Sequence, residues 1–260
     1  RAVSKLFQFI PDLKGFREYR EPFLGGGSVA LEVTKRYPDL SIWVNDLYEP
    51  LSNFWCELQH NGAKLSKELA GIKTVNCNQD SARCLFQEMK GWINDEEKSN
   101  FDRALAFYIV NKCSFSGLTE SSSFSPQASD SNFSLRGIER LVEYSELIEG
   151  WTITNLTYER MLWDKKDVYL YLDPPYDIKD NLYGRKGGMH KGFDHDDFAK
   201  QCDTFTSPML ISYNSSQLVK DRFKEWTAGE FAHTYTMRSV GCYNTDQASR
   251  KELVLTNYEV

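Results

Sequence analysis

A buried-strand pattern that ends in two prolines, VYLYLDPPY at residues 168–176, most constrains how this chain can fold. Proline cannot donate a backbone hydrogen bond to a sheet, and it pushes the residue before it into extended geometry. Asp173 and both prolines must therefore lie beyond the end of the strand, and Tyr176 follows them. Ligands of open α/β sheets bind at the carboxyl ends of the strands. The sequence thus predicts a functional site at this edge.

The remaining chain alternates between strand and helix patterns, which favours a parallel α/β sheet. Strands are predicted at residues 17–23, 41–44, 151–155, 168–172, 209–213, 231–237 and 252–258, and helices at 28–36, 47–60, 97–111, 136–149, 195–204 and 216–226. Residues 61–100 are polar and helical with little strand signal, and residues 114–134 are rich in Ser, Phe and Asn without periodicity. We therefore expect an α/β core interrupted by an insertion of about ninety residues, with boundaries uncertain by a few residues.

A glycine turn, EPFLGGGSVA at residues 21–30, follows the first predicted strand. Gly25, Gly27 and Ala30 satisfy the pattern G-x-G-x-x-A, and Asp46 ends the second strand. Small residues let the backbone approach a ligand, and a carboxylate at that position can accept hydrogen bonds from two ribose hydroxyls. Beside the alternative of a purely structural turn, the pattern indicates a nucleoside-containing cofactor. NAD and S-adenosylmethionine fit it equally.

The Asp-Pro-Pro-Tyr motif suits chemistry on a planar base that carries an exocyclic amine. Asp173 and the carbonyl of Pro174 can accept the two amine hydrogens, which localises the nitrogen lone pair for attack on a methyl group. Tyr176 can stack on the base, and a base inside a duplex would have to flip out. The alternative is a structural turn in which Asp173 caps a helix and Tyr176 lies in the core.

Composition narrows the class of protein. The apolar runs are too short to cross a bilayer and no signal-peptide pattern is found, so we expect a soluble cytoplasmic protein. Because the chain begins at Arg1, we also expect upstream residues to be missing. Its 6 cysteines form no C-x-x-C pair and accompany no histidine cluster. This pattern favours reduced thiols and no bound metal.

Charge gives a mixed indication. A net charge of −6 argues against bulk attraction to nucleic acid. Residues 178–191, directly after the proline motif, are nevertheless basic and rich in glycine. A solvated surface loop is the commoner explanation, but the position beside a candidate site favours a functional one.

Six segments resemble, in the same order along nearly the whole chain, the Dam-type (D12 class, alpha-group) DNA adenine-N6 methyltransferases. These segments are EPFLGGGS, VNDLYEPLSNFW, NKCSFSGL, LYLDPPY, MLISYN and KELVLTNY. The resemblance implies a site-specific enzyme that transfers the methyl group of S-adenosylmethionine directly to a flipped-out adenine. It implies a Rossmann-like methyltransferase fold with a mainly parallel seven-stranded sheet and an antiparallel strand at one edge. The catalytic domain would comprise residues 1–52 and 150–260, and the mostly helical target-recognition domain residues 53–149.

The resemblance also assigns roles to individual residues. The cofactor site would comprise Phe23, Gly25, Gly27, Asp46, Tyr158 and Asp173. Asp173, Pro174 and Tyr176 would grip the target adenine. Tyr158 stands in the pair Thr157-Tyr158, where the family tends to have Asp-Phe.

Double-stranded DNA is the predicted partner. Polar and basic residues in or beside the loops supply the candidate contacts, which are Lys112, Asn132, Arg136, Tyr183, Arg185 and Lys186. Arginine and lysine mostly grip phosphates, whereas asparagine can bond phosphates or base edges. Phe124 or Phe133 could fill the gap left by a flipped base, although burial in the core is the better interpretation of either one.

Several alternatives stay open. The same chemistry could act on adenine in RNA or on the N4 amine of cytosine in DNA, and the glycine turn would also suit an NAD-dependent oxidoreductase. A catalytically silent DNA-binding module is a further alternative. The residues leave open the recognised sequence, the preference for hemimethylated sites and the oligomeric state. They also leave open whether a cognate restriction endonuclease accompanies the enzyme, and whether a bacterium or a phage encodes it.

Overall fold

The computed structural model describes residues 2–115, 122–176, 192–232 and 251–260. Its contacts divide the chain into two compact units. The first, called the sheet unit below, comprises Arg1–Leu47, Leu156–Asp180 and His190–Val260. The second, called the helical unit, comprises Tyr48–Asn155 and Asn181–Met189.

A seven-stranded sheet in the order β3-β2-β1-β4-β5-β7-β6 organises the chain. Its strands are β1 (Glu18–Glu21), β2 (Ser41–Asn45), β3 (Thr152–Thr154), β4 (Val168–Leu172), β5 (Met209–Asn214), β6 (Thr227–Ala232) and β7 (Lys251–Thr256). The pairs β2/β1, β1/β4 and β4/β5 are parallel, whereas β7 is antiparallel to both β5 and β6. The predicted α/β class with a mainly parallel seven-stranded sheet is confirmed.

The position of the antiparallel strand corrects one expectation. We expected it at an edge of the sheet, but β7 lies one place inward because β6 pairs along its outer side. Five of the six residues of β7 are buried, as an interior strand requires.

The helices of the described residues fall into two groups. The sheet unit contains α1 (Ala2–Leu6), α2 (Ser28–Arg36), α8 (His195–Asp203) and α9 (Gln217–Arg222). The helical unit contains α3 (Glu49–Val75), α4 (Gln79–Trp92), α5 (Asn100–Cys113), α6 (Pro126–Ser131) and α7 (Leu135–Leu147).

The two faces of the sheet differ in polarity. Because side chains alternate along a strand, Leu172, Ile211 and Leu255 share one face, which packs on Phe198 of α8 within a large apolar cluster. The opposite face bears tyrosines, acids and a serine. Its members include Tyr19, Glu21, Tyr171, Ser212 and Glu252.

Helix α3 is longer than predicted. The sequence pattern placed its end at residue 60, but it continues to Val75, since Leu65 and Leu69 extend the buried stripe. The two parts of α3 meet at a kink, where Asn61 has non-helical φ and ψ angles. At Gly62 an added Cβ would lie 2.2 Å from Cβ of Ser145, so glycine permits α3 and α7 to pack closely.

The segment without periodicity also differs from expectation. Within residues 114–134 the chain forms helix α6, whose first turn is capped by the Ser125 side chain. Phe124 and Phe133 are 9% and 0% exposed, so both belong to the core and neither is available to fill the place of a flipped base. Serine caps and isolated aromatics are here local folding signals.

Two kinds of feature are absent from the described residues. None of their helices is long and apolar enough to span a membrane. They also contain no group of three or more His, Cys, Asp or Glu side chains arranged to hold a metal ion.

Candidate active site

The glycine turn follows the carboxyl end of β1, leads into α2, and is hydrogen-bonded to the carboxyl end of β2. Gly25 and Gly27 have φ angles of +49° and +64°, the left-handed region that favours glycine. The Gly25 N–H donates a 2.9 Å hydrogen bond to Oδ2 of Asp46, so the turn and the predicted ribose ligand are directly linked. An added Cβ at Gly25 or Gly26 would meet no atom within 4 Å, which leaves open space beside the backbone.

Asn45 is a site residue that the sequence analysis missed. It is 1% exposed, and its Nδ2 donates to the carbonyls of Pro22 at 3.1 Å and Leu156 at 2.9 Å. Its Oδ1 accepts the Leu156 N–H at 2.8 Å. The side chain therefore anchors the segment leading to Tyr158 beside the glycine turn. The available signal was a polar residue inside an apolar strand, directly before Asp46.

Three aromatic rings form a wall next to the turn. Phe23 and Tyr158 stack with centroids 5.4 Å apart, which brings together two predicted cofactor residues. Phe193 lies 5.8 Å from Phe23 and 5.6 Å from Tyr158, and Phe198 of α8 supports all three. Phe193 was not predicted, since nothing in its local sequence reveals partners so distant along the chain. The wall can receive a flat heterocycle.

The Asp-Pro-Pro-Tyr motif leaves the end of β4, as its prolines require. Pro174 is buried, whereas Asp173 is open to solvent. The Tyr176 hydroxyl donates to Oε1 of Glu252, and its ring lies 6.3 Å from the ring of Tyr213. The motif and the glycine turn therefore stand at the carboxyl edge of one sheet, in one compact unit.

The electrostatics of this edge are acidic. Although water reaches Asp173, protein atoms surround its other sides. This desolvation, with a smaller effect from the Glu252 charge, raises the pKa of the Asp173 carboxyl to about 8.

Glu21 adds a second shifted acid beneath the site. Burial raises the pKa of its carboxyl well above the ordinary value, and the charges of Asp173 and Asp46 act in the same direction. The Tyr19 hydroxyl donates to Glu21 Oε2 at 2.5 Å, and the Ala30 N–H at the start of α2 donates to the same carboxyl. Glu21 thereby joins β1 to helix α2 below the glycine turn.

The predicted DNA contacts lie in the helical unit where they are described. Asn132 and Arg136 are exposed, and Arg136 occupies the first turn of α7. Lys112 is half-buried, with Nζ 5.5 Å from the ring centroid of Tyr108, and burial lowers its pKa. The remaining candidates, Tyr183, Arg185 and Lys186, lie outside the described residues.

A parallel sheet with a glycine turn after β1, an acid after β2 and Asp-Pro-Pro-Tyr after β4 defines a Rossmann-like methyltransferase. The sequence profile of the D12 class N6 adenine-specific DNA methyltransferases matches residues 1–237, and the chain belongs to this family. The resemblance found in the sequence is confirmed. The protein is thus an adenine-specific DNA methyltransferase, which sets aside the RNA, cytosine and NAD alternatives.

Two curated relatives agree with this family. A type II methyltransferase of Lactococcus lactis subsp. cremoris, M1.LlaDCHI, is 22% identical over 256 residues, covering 94% of this chain and 87% of that protein. The type II methyltransferase M.MjaIII of Methanocaldococcus jannaschii is 22% identical over 189 residues, covering 68% of this chain and 65% of that protein.

Proposed function

We propose that the carboxyl edge of the sheet unit transfers the methyl group of S-adenosylmethionine to N6 of a flipped-out adenine in double-stranded DNA. The hydrogen bond between Gly25 N–H and Asp46, at the same edge as Asp173, carries this proposal. It joins the predicted cofactor turn to the predicted ribose ligand, and both lie in the same compact unit as the predicted amine acceptor.

The residues at this edge fit S-adenosylmethionine. Asp46 can accept ribose hydroxyls, and the stacked rings of Phe23 and Tyr158 can pack against a heterocycle. Aromatic faces and carboxylates attract a sulfonium cation. The glycines leave the backbone approachable on the side facing the ligand.

The chemistry follows from the acceptors around the amine. When bound, S-adenosylmethionine supplies an electrophilic methyl group on a positively charged sulfur. Asp173 accepts one N6 hydrogen and the Pro174 carbonyl accepts the other, so the nitrogen lone pair is localised and aimed. Tyr176 stacks on the base. Methyl transfer leaves an extra proton on N6, and the Asp173 carboxylate is placed to take it.

The charge state of Asp173 couples cofactor binding to reaction. Its raised pKa keeps a large fraction of the carboxyl protonated near neutral pH in the free enzyme. Positive charge placed beside the carboxyl favours ionisation. Asp173 therefore becomes a charged acceptor when the cofactor site is filled, and this arrangement delays formation of the strong acceptor until the methyl donor is present.

Target recognition is assigned to the inserted helical domain, residues 53–149. Exposed Arg136 and Asn132 support this assignment, because both side chains are accessible to a phosphate or a base edge. Lys112, Tyr183, Arg185 and Lys186 complete the proposed contacts. Since both relatives are named type II methyltransferases, a cognate restriction endonuclease in a bacterial or phage system is the proposed partner.

Labelled methyl transfer tests this function. The protein is incubated with tritiated S-adenosylmethionine and, in parallel, unmethylated genomic DNA, matched RNA and a duplex without adenine. We expect label only in N6-methyladenine of the first substrate. Label in RNA, label in N4-methylcytosine, or binding of NAD in place of S-adenosylmethionine would contradict the proposal.

A further inference from the structure

Glu252 is a buried acid that belongs to neither predicted motif. It lies in β7 directly opposite Asn214 of β5 and is 5% exposed. By strand alternation its side chain shares a face of the sheet with Ser212. The Ser212 hydroxyl donates to Glu252 Oε1 at 2.5 Å, and the Tyr176 hydroxyl donates to the same oxygen.

A buried acid such as Glu252 requires compensating interactions in the interior of the protein. An ionised carboxyl in a protein core costs free energy unless hydrogen bonds compensate it. The Ser212 and Tyr176 hydroxyls supply two donors to one oxygen of Glu252. An apolar residue would fill this position of β7 without that requirement, so the acid serves the groups it binds.

The Tyr176 ring is held at both ends. Its backbone follows two prolines, each of which fixes its own φ near −65°. At the other end, the hydroxyl is bonded to Glu252. A phenol ring fixed at the backbone and at the hydroxyl has little freedom to turn about its side-chain torsions. Its plane is therefore preorganised before any base arrives.

We propose that Glu252 is a positioning residue of the methyl transfer, which fixes the plane of Tyr176 so that the flipped adenine stacks with its amine at Asp173. This inference rests on the proposed function, because it requires Tyr176 to be the stacking surface. It adds a residue from β7, 76 positions distant along the chain, to a site built from β1, β2 and β4.

The charge of Glu252 has a second, separable consequence. Asp173 is faced by Glu252 from β7, by Glu21 from β1 and by Tyr171 from β4. Among these groups Glu252 contributes a negative charge that disfavours ionisation of Asp173. Glu252→Gln keeps an oxygen that accepts the Tyr176 hydroxyl but removes this charge. In that variant the acid limb of the kcat/KM profile should move to lower pH.

A double-mutant cycle between Glu252 and Tyr176 tests the inference. Tyr176→Phe and Glu252→Ala each lose the same hydrogen bond, so each should lower kcat by about 10-fold. The double variant should show no further loss, because the interaction is already absent. Cofactor affinity should stay within about threefold in all three variants. Losses that multiply, or a Glu252→Ala variant with wild-type kcat, would overturn the inference.

A fluorescence measurement separates positioning from general damage. Duplexes carry 2-aminopurine in place of the target adenine, and its emission is quenched when it stacks on an aromatic ring. We expect brighter emission in complexes of Glu252→Ala and Tyr176→Phe, and near wild-type emission with Glu252→Gln. Tyr258→Phe serves as control, since it removes the hydroxyl of a half-buried tyrosine that is bonded to Tyr169 elsewhere in the sheet unit. Equal brightening in this control would contradict the positioning role.

Two outcomes distinguish this inference from the proposed function. Full activity of Tyr176→Ala would contradict the proposed site itself. An inactive Tyr176→Ala variant combined with additive losses in the cycle would overturn only the role of Glu252. Thermal unfolding of each variant identifies a folding defect, and Glu252→Gln, which keeps the hydrogen-bond acceptor, then carries the test through its pH profile and fluorescence.

Discussion

The sheet unit and the helical unit relate sequence to function in different ways. In the sheet unit, Asp46 and Asp173 directly follow the ends of β2 and β4, so backbone geometry positions the groups proposed to bind the cofactor and the amine. In the helical unit, the core of α3, α5 and α7 is buried, while Arg136 and Asn132 lie on the surface without a motif. A reaction requires fixed distances between the reacting groups, so the residues that supply them stand at fixed spacings in sequence motifs. DNA recognition requires only that suitable side chains reach the protein surface.

The largest expected effect is at Asp173. Asp173→Asn replaces one amine acceptor by a group that can also donate, so single-turnover methyl transfer should fall by about 100-fold or more. Cofactor affinity, measured by calorimetry, should change by less than about threefold, because the partner of Asp173 is the adenine amine. Asp221→Asn, at an exposed position of α9, is the matched control. Substantial residual methyl transfer by Asp173→Asn would contradict the view that a motif of the sheet unit supplies the chemistry.

The pH dependence sharpens the same point. The pKa of Asp173 is raised to about 8 in the folded protein, and the ionised form is the stronger acceptor. Consequently kcat/KM should be low at pH values below about 8 and should rise as the pH increases through that value. In the protein without ligands, the folded state binds this proton more tightly than the unfolded chain, so the free energy of unfolding should decrease as pH rises from about 4 to about 8. Asp173→Asn should flatten that decrease, and an unchanged pH profile would refute the assignment.

An intermediate effect is expected at Asp46. Asp46→Asn keeps an oxygen for the Gly25 N–H but weakens acceptance of ribose hydroxyls, so cofactor affinity should fall by about 10-fold. Asp39→Asn, an exposed change before the amino end of the same strand, is the control. Calorimetry with S-adenosylmethionine distinguishes them. Equal affinity in Asp46→Asn and wild type would contradict the ribose assignment.

The smallest effect is expected in the helical unit. Arg136→Ala should weaken DNA binding several-fold and lower the slope of log affinity against log salt by about 1, as loss of one phosphate contact predicts. Arg140→Ala, one turn further along α7 and bonded to Tyr144, should have less effect. Lys112→Ala should weaken DNA binding by an amount between those of the two arginine variants, because Lys112 is half-buried. Unchanged salt dependence in Arg136→Ala would exclude the contact.

The sheet was predictable where local rules dominate. Two prolines predicted the strand that ends before Asp173, apolar spacing predicted helix α2, and glycine geometry predicted the turn. The structure has all three at those positions. The inward position of β7 was missed, because strand order depends on pairing partners far apart in sequence. The extension of α3 was missed because a single non-helical residue, Asn61, interrupts its pattern.

The candidate site divides in the same way. Gly25, Asp46 and Asp173 stand in motifs whose pattern predicted them, and the family resemblance implied Phe23. Asn45, Phe193 and Glu252 act through partners in other elements, so each looks ordinary in its own segment. Burial is the property that singles out Asn45 and Glu252, and burial of an individual polar residue is decided by the folded structure.

Single-molecule sequencing of DNA treated with three proteins tests the central claim most directly. Wild type, Asp173→Asn and Arg136→Ala are incubated with unmethylated genomic DNA over a range of enzyme concentrations. The account predicts N6-methyladenine within one short motif for wild type, methylation slowed by about 100-fold or more for Asp173→Asn at every enzyme concentration, and recovery at high concentration for Arg136→Ala. Methylation by Asp173→Asn at a rate close to that of wild type, or an Arg136→Ala variant that higher concentration cannot restore, would contradict it.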